Sequence, residues 1–285
     1  MKRICRHTAA LLVATAVGGI GVADVGAETR PMVASVEDVP LAPASPLAAD
    51  PKAACAVSAS QARFAYPLAR MARRLANEKP IKIVAIGSSS TAGAGASSPE
   101  ATYPSRLERE LGEHFSGYDI TVLNRGVNGE EAPDMLARFD ASVVAEEPDL
   151  VLWQVGTNWV LRDRPLDPKA TVLHEGLARL KSISSDVVMI DPQYAPKVIA
   201  KPEAEAMVAQ IAAAAKEENV DLFPRFALMK RWFENDHLPF DQFVSADGLH
   251  MNDWSYGCLA KWLGTSIEEA ASRLITTAVA PRQMR

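Results

Sequence analysis

"IKIVAIGSSSTAGAGAS", residues 81 to 97, runs from a β-branched apolar segment through one glycine into three serines and a threonine. A short apolar run closed by glycine is the pattern of a strand buried on both faces. The hydroxyls begin where that strand ends. On one reading the segment is a polar, glycine-rich loop that only terminates the strand. On the other, one serine is a nucleophile presented on a strand-to-helix turn. The second reading requires a base, an orienting acid and oxyanion donors elsewhere in the chain.

The same apolar pattern recurs in "YDITVLNRG" (118–126), "PDLVLWQVG" (148–156) and "SDVVMIDP" (185–192), and more weakly in "NVDLFPR" (219–225). Amphipathic stretches lie between these runs. Residues 103–114 place Leu107 and Leu111 on one helical face, and residues 131–146, 168–184 and 203–217 read as helices in the same way. A last helix is expected over about 254–273. Strands alternating with helices predict an α/β fold with a parallel central sheet of about five strands. Right-handed crossovers then bring all C-terminal strand ends to one edge, where ligands bind in open α/β sheets. Ser88 to Thr91, Asn124 to Gly129 and Gly156 to Asn158 should meet there. "GSSSTAG" has neither the glycine spacing of a dinucleotide loop nor the lysine of a P-loop.

The first residues carry a different signal. Lys2, Arg3 and Arg6 precede an apolar stretch, residues 8–22, and Val25-Gly26-Ala27 supplies a small-residue cleavage site. Residues 1–27 therefore read as a signal peptide. Three glycines in the apolar stretch and Asp24 behind it make a poor membrane span. Residues 28–54 hold prolines at 31, 40, 43, 46 and 51 and read as an extended linker. The folded domain is expected over 55–285. An exported protein, periplasmic or secreted, without stable membrane insertion after cleavage is the expectation. Of the three cysteines, Cys5 leaves with the signal peptide, and Cys55 and Cys258 remain. They are a disulfide candidate in an oxidising compartment, with two buried free thiols as the alternative. The hydrophobic fraction of 48% and charged fraction of 23% are those of an ordinary globular protein. A net charge of −5 argues against a nucleic-acid partner.

Near the C-terminus, "FVSADGLHMNDWSYGCLA" (243–260) sets Asp247 and His250 three apart, with Gly248 freeing the turn between them. On a tight loop that spacing lets the carboxylate reach the Nδ1 hydrogen of the imidazole. Nε2 is then left to accept a proton from a serine. With the serine turn and the two other loops, the chain resembles the SGNH (GDSL) hydrolases, serine esterases and lipases on a flavodoxin-like three-layer α/β/α sandwich. The resemblance covers roughly residues 80–275 and four sequence blocks in order. Gly87-Ser88-Ser89-Ser90-Thr91 stands for the first block and implies Ser89 as nucleophile. "NRGVNG" implies Gly129, and "GTNW" implies Asn158, as oxyanion donors beside the Ser89 N–H. The last block implies Asp247 and His250 as the rest of a triad. No metal and no organic cofactor is implied.

Two positions depart from the family pattern. Its first-block aspartate is Ser88 here, and its third-block aspartate is Trp159. Trp159 directly follows the site and is a candidate substrate-pocket residue, whereas Trp153 reads as packing. His114 reads as a solvated helix end, His174 lies in a helix, and His237 lies in a proline-flanked loop. Asp191, at the end of the fourth strand, is a competing triad acid. The resemblance implies a carboxylic-ester hydrolase with an acyl-enzyme intermediate. Its substrate would be a small acyl ester or an acylated carbohydrate, such as the O-acetyl groups of cell-wall or extracellular polysaccharide. Transfer of the acyl group to a sugar hydroxyl, or polysaccharide binding without catalysis, are the alternatives.

Overall fold

The computed structural model describes residues 50–57 and 63–279, excepting the side chains of 275–279. The expected signal peptide and most of the expected linker lie outside the described residues. The chain begins with α1 (Pro51–Ala54), α2 (Ala69–Ala76), β1 (Ile81–Gly87), α3 (Ser89–Ala92), α4 (Tyr103–His114) and β2 (Ile120–Gly126). It continues through α5 (Ala132–Ala137), α6 (Phe139–Ser142), β3 (Leu150–Gln154), α7 (Thr157–Leu161), α8 (Thr171–Ser182) and β4 (Asp186–Ile190). The last elements are α9 (Pro196–Ile199), α10 (Ala204–Glu217), β5 (Asp221–Phe223), α11 (Arg225–Glu234), α12 (Phe240–Phe243) and α13 (Asp253–Val279).

All strand pairs are parallel, in the order β2-β1-β3-β4-β5. This is the doubly wound order of the flavodoxin-like sheet, and it reverses direction between β1 and β3. The crevice at that reversal is where such sheets bind ligands, and α3 and α7 start on its two sides. Every residue of β3 is buried, and β1 is buried except at Lys82, as expected for central strands sandwiched between helices. The edge strand β2 is only partly covered. One helical layer holds α2, α4 and α13, and the other holds α5, α8 and α10. Trp153 of β3 is fully buried, packs edge-on against Phe139 at 5.5 Å and donates its indole N–H to Met135 Sδ. Gly176 of α8 lies directly against that indole, where a Cβ would come within 2.2 Å. Trp153 is thus a packing residue, as its place in an apolar run predicts.

The segment expected as one helix over 131–146 is broken. α5 ends at Arg138, which leaves the helical region (φ −113°, ψ 8°), and a short 3-10 turn at Val144–Glu146 follows α6. The Arg138 guanidinium is drawn aside to the Glu130 carboxylate and the Arg125 carbonyl. The last helix runs further than its expected end, to Val279.

The residues just before position 55 pack on the domain rather than trailing from it. Proline at the first turn of α1 costs no hydrogen bond there, because that N–H would have no helical partner. Ala54 is buried, and its carbonyl accepts from Arg231 and from the Trp232 indole. The sulfurs of Cys55 and Cys258 are bonded, joining this segment to α13 across 203 residues, with the Cα atoms 5.3 Å apart. No helix among the described residues is long and apolar enough to cross a membrane.

Candidate active site

The ends of β1 and β2 press against α3 so closely that only glycine fits. A Cβ on Gly87 would lie 2.2 Å from Thr91 Oγ1, and one on Gly126 would lie 2.1 Å from the Ala92 nitrogen. This packing fixes the directions of the three serines. Ser88 is buried and turned inward, its N–H and hydroxyl donating to Gln154 Oε1 at 3.0 and 3.1 Å. The Thr91 hydroxyl donates to the same oxygen at 3.3 Å and meets the Tyr103 hydroxyl at 3.2 Å. Ser90 is buried as well and donates to Gln193 Oε1. Ser89 faces the other way, its Oγ 2.8 Å from His250 Nε2.

The loop that carries His250 is organised by Asp247. A bridge between Val244 and Met251 closes the loop, and Gly248 takes the left-handed conformation (φ 68°) at its tip. Asp247 Oδ1 accepts from the N–H groups of Leu249 and His250, both at 2.9 Å, and from the Ser245 hydroxyl at 2.8 Å. Oδ2 remains for His250 Nδ1, 2.5 Å away. Partial burial opposes the charge on Asp247, but the His250 N–H and imidazole, the Leu249 N–H and the Ser245 hydroxyl outweigh it. The carboxyl is held well below the ordinary carboxylate range. An acid so placed is ionised at neutral pH and fixes the imidazole tautomer that leaves Nε2 free toward Ser89.

Gly129 lies on the loop after β2, and Asn158 lies in the first turn of α7, after β3. Gly129 has φ 81°, a conformation that favours glycine, and Asn158 Nδ2 donates to the Glu130 carbonyl at 2.8 Å. That bond uses one of the two hydrogens on Nδ2 and leaves the other. Asn158 therefore ties the loop bearing Gly129 to the start of α7. Trp159 lines a small, mostly apolar cavity with Ala132, Gly156, Leu173 and Met207. Its indole N–H donates to the Pro165 carbonyl. Ser89, Asp247 and His250 do not line that cavity.

Asp191, the competing acid, is buried away from the imidazole. Its Oδ1 accepts the Phe226 N–H at 2.8 Å, and its carbonyl accepts from Arg225. Burial, against the pull of the Phe226 N–H and the Arg225 charge, pushes its carboxyl up to about 7. His114 pairs with Glu268, His174 sits between Glu217 and Glu218, and His237 is exposed on the turn before α12.

Several residues of the site have no place in the sequence reading above. Gln154 is the common acceptor under α3, and a lone glutamine closing the apolar run "LVLWQ" was a visible signal for it. Gln193 joins Ser90, the Thr157 hydroxyl and the Leu249 carbonyl, tying α3, α7 and the Asp247 loop together. Arg162 and Arg164 follow α7 and hold Glu131 at the start of α5. Nothing local in the sequence pairs them with a residue some thirty positions earlier.

The sequence model of the Non-GDSL lipase-like family matches residues 54–273. This protein belongs to that family. Its first block, Gly-Ser-Ser-Ser-Thr in place of Gly-Asp-Ser-Leu, suits a non-GDSL member. An arylesterase of Vibrio mimicus is 31% identical over 121 residues, 42% of this chain and 59% of that protein. An acetylxylan esterase of Geobacillus stearothermophilus is 29% identical over 105 residues, 33% of this chain and 42% of that protein. These matches thus span less than two thirds of the length of either relative. Among solved structures, a variant of an acetyl-xylooligosaccharide esterase from Geobacillus superposes with a TM-score of 0.56 at 20% identity, covering 66% of this chain and 94% of the other. A protein of Desulfitobacterium hafniense, described as lipolytic and of the G-D-S-L family, gives 0.53 at 22% identity, covering 65% and 98%. The fold of this Non-GDSL lipase-like chain is therefore that of the GDSL-type hydrolases, as its sequence blocks imply.

Proposed function

We propose that this protein is an exported carboxylic-ester hydrolase that works through an acyl-enzyme on Ser89. The observation that carries this reading is the unbroken line from Asp247 Oδ2 through the His250 ring to Ser89 Oγ, with contacts of 2.5 and 2.8 Å. His250 Nε2 takes the hydroxyl proton as Ser89 Oγ attacks the ester carbonyl. Asp247 steadies the imidazolium that results. The N–H groups of Ser89 and Gly129 and the remaining Asn158 amide hydrogen hold the tetrahedral oxyanion. The proton then passes from Nε2 to the departing alkoxide, releasing the alcohol. Water deacylates Ser89 by the same steps, with His250 as base, and frees the acid. The matched relatives are named as esterases, one of aryl and one of acetylxylan esters. Three solved variants of the Geobacillus esterase are described as catalytic mutants. They replace a serine, and an aspartate and a histidine three positions apart, the same types and spacing as Ser89, Asp247 and His250.

The acyl group is short on this reading and the alcohol is a sugar hydroxyl of an extracellular polysaccharide, with Trp159 lining part of the substrate pocket. The signal-peptide pattern of residues 1–27 and the Cys55–Cys258 bond support export. A panel of p-nitrophenyl esters from acetate to palmitate, run beside acetylated xylan, tests it. Turnover should be fastest at acetate and fall with chain length, and absence of turnover on every ester would overturn the proposal.

Asn158→Ala should lower kcat by roughly 10² to 10³ with KM nearly unchanged, since the amide meets charge only in the transition state. A raised KM with unaltered kcat would move Asn158 into ground-state binding. The pH dependence has a defined sign. Only the neutral imidazole can accept the serine proton, so kcat/KM should rise with pH. Asp247, its carboxyl held low, stays ionised across the neutral range. The acid limb should therefore follow a single proton, with a slope of one on logarithmic axes. A slope near two would show that the Asp247 carboxyl is not held low and that a second proton must leave.

A further inference from the structure

Two guanidinium groups beside the oxyanion loop share a single carboxylate. Glu131, nearly buried, accepts Arg162 Nη1 at 2.6 Å and Arg164 Nε at 2.9 Å on the same oxygen. The neighbouring acids are otherwise engaged, Glu130 by Arg138 and Asp163 by Lys201. The Asp134 carboxylate caps the Glu131 N–H, and Asp167 accepts from the backbone N–H groups of Lys169 and Thr171. Arg162 Nη2 donates to the Gly129 carbonyl at 2.7 Å. The Arg162 guanidinium therefore lies against the residue whose N–H is proposed to face the oxyanion.

Arg164 is shaped to receive a ligand. Its Nε is anchored on Glu131, and its guanidinium lies 5.8 Å over the centroid of the Trp159 ring. Its two terminal nitrogens make no hydrogen bond within the described residues, and the side chain is 52% exposed. A guanidinium fixed at one nitrogen and stacked on an aromatic ring has given up most of its freedom before any ligand arrives. Its open fork matches a planar carboxylate. On α9, Lys197 is exposed, has no carboxylate within ion-pair distance among the described residues and is held next to the Asp247 loop by its N–H on the Gly248 carbonyl at 3.0 Å. Contacts between α7 and α9 set it on the same side of the crevice. These cations stand out on a chain whose net charge is −5. The opposite flank, around Asn252 and Trp254, carries Asp241 and Asp253 instead.

We infer that the ester is borne by a polyuronate, an acylated glycan whose sugar carboxylate is seated by Arg164 and Arg162, with Lys197 placed for the carboxylate of a neighbouring sugar. The open fork of Arg164 suits a planar carboxylate. The inference rests on the esterase reading and names its substrate class.

Binding and turnover test it separately. By calorimetry, the Ser89→Ala protein should bind unacetylated oligogalacturonate and lose that binding when the carboxyls are methyl-esterified. Affinity should weaken as salt rises, and it should fall about tenfold when Arg164→Gln is added, the scale of a charge-assisted hydrogen bond. Arg164→Lys, which keeps the charge without the fork, should restore part of the loss. With the native serine, acetate release from O-acetylated polygalacturonate should exceed that from its methyl-esterified form about tenfold in kcat/KM, and Arg164→Gln should collapse the ratio. Equal affinity for the charged and esterified oligomers, or a preference that survives Arg164→Gln, overturns the inference while leaving the esterase reading intact. Charge-dependent binding without turnover of any ester would instead overturn the esterase reading and keep the anion site.

Discussion

Replacing Ser89 by alanine is expected to abolish turnover of activated esters, by about 10⁶-fold in kcat, the loss seen when one member of a working triad is removed. The size of the effect follows from the mechanism: without Oγ there is no acyl-enzyme, and His250 has no proton to take. Ser88→Ala and Ser90→Ala are the informative controls, because all three serines lie in one run. Ser88 spends its hydroxyl on Gln154 and Ser90 spends its hydroxyl on Gln193, both in buried surroundings. Each substitution should cost about 1 kcal/mol of stability, the net worth of an ordinary hydrogen bond, and leave most of the activity. A fluorophosphonate should label Ser89 alone, read by peptide mapping. A dead Ser88→Ala protein beside an active Ser89→Ala protein would place the nucleophile one residue earlier.

Asp247→Asn should cost up to about 10⁴-fold in kcat while the loop keeps its shape. The asparagine oxygen can still accept from the Leu249 and His250 N–H groups, as Asp247 Oδ1 does. What it loses is the second acceptor, since an amide nitrogen facing His250 Nδ1 favours the tautomer with its proton on Nε2. That proton would then stand against Ser89 Oγ, and the base is gone. Melting temperature should change little by comparison, so the kinetic loss separates from any effect on folding. Full activity in Asp247→Asn, with His250→Ala inactive, would assign the orienting role to another acid. Asp191 is a poor candidate for it, because its carboxylate serves the Phe226 N–H from inside the core.

The features legible from the chain alone are those whose partners lie close by in sequence. A β-branched run ending at Gly87 is a strand because its apolar residues must be buried on both faces, and the same holds for Leu150 to Gln154. Four such runs separated by amphipathic stretches leave few architectures open, and the crossover rule then places their C-terminal ends on one edge. Asp247 and His250 could be paired on paper because a turn of three residues brings them together with only a few dihedral angles. The single helix expected over 131–146 failed for the complementary reason. Arg138 sits in an amphipathic pattern, but its guanidinium satisfies Glu130 and Arg125 instead, and no periodicity records that competition.

The family blocks point to Ser89, but only the tertiary fold brings it to His250, 161 residues away, and turns Ser88 and Ser90 into the core. It decided that Gln154 would be the acceptor beneath α3, that Arg162 and Arg164 would converge on Glu131, and that Asp191 would face Phe226 rather than the imidazole. Each of these contacts joins different β–α units. Their distances depend on how the whole sheet twists and how its helices settle on it, so they are properties of the packed layers. Local propensity and burial pattern specify the layers themselves, since hydrophobic surface and backbone hydrogen bonds can be satisfied by short segments in only a few ways.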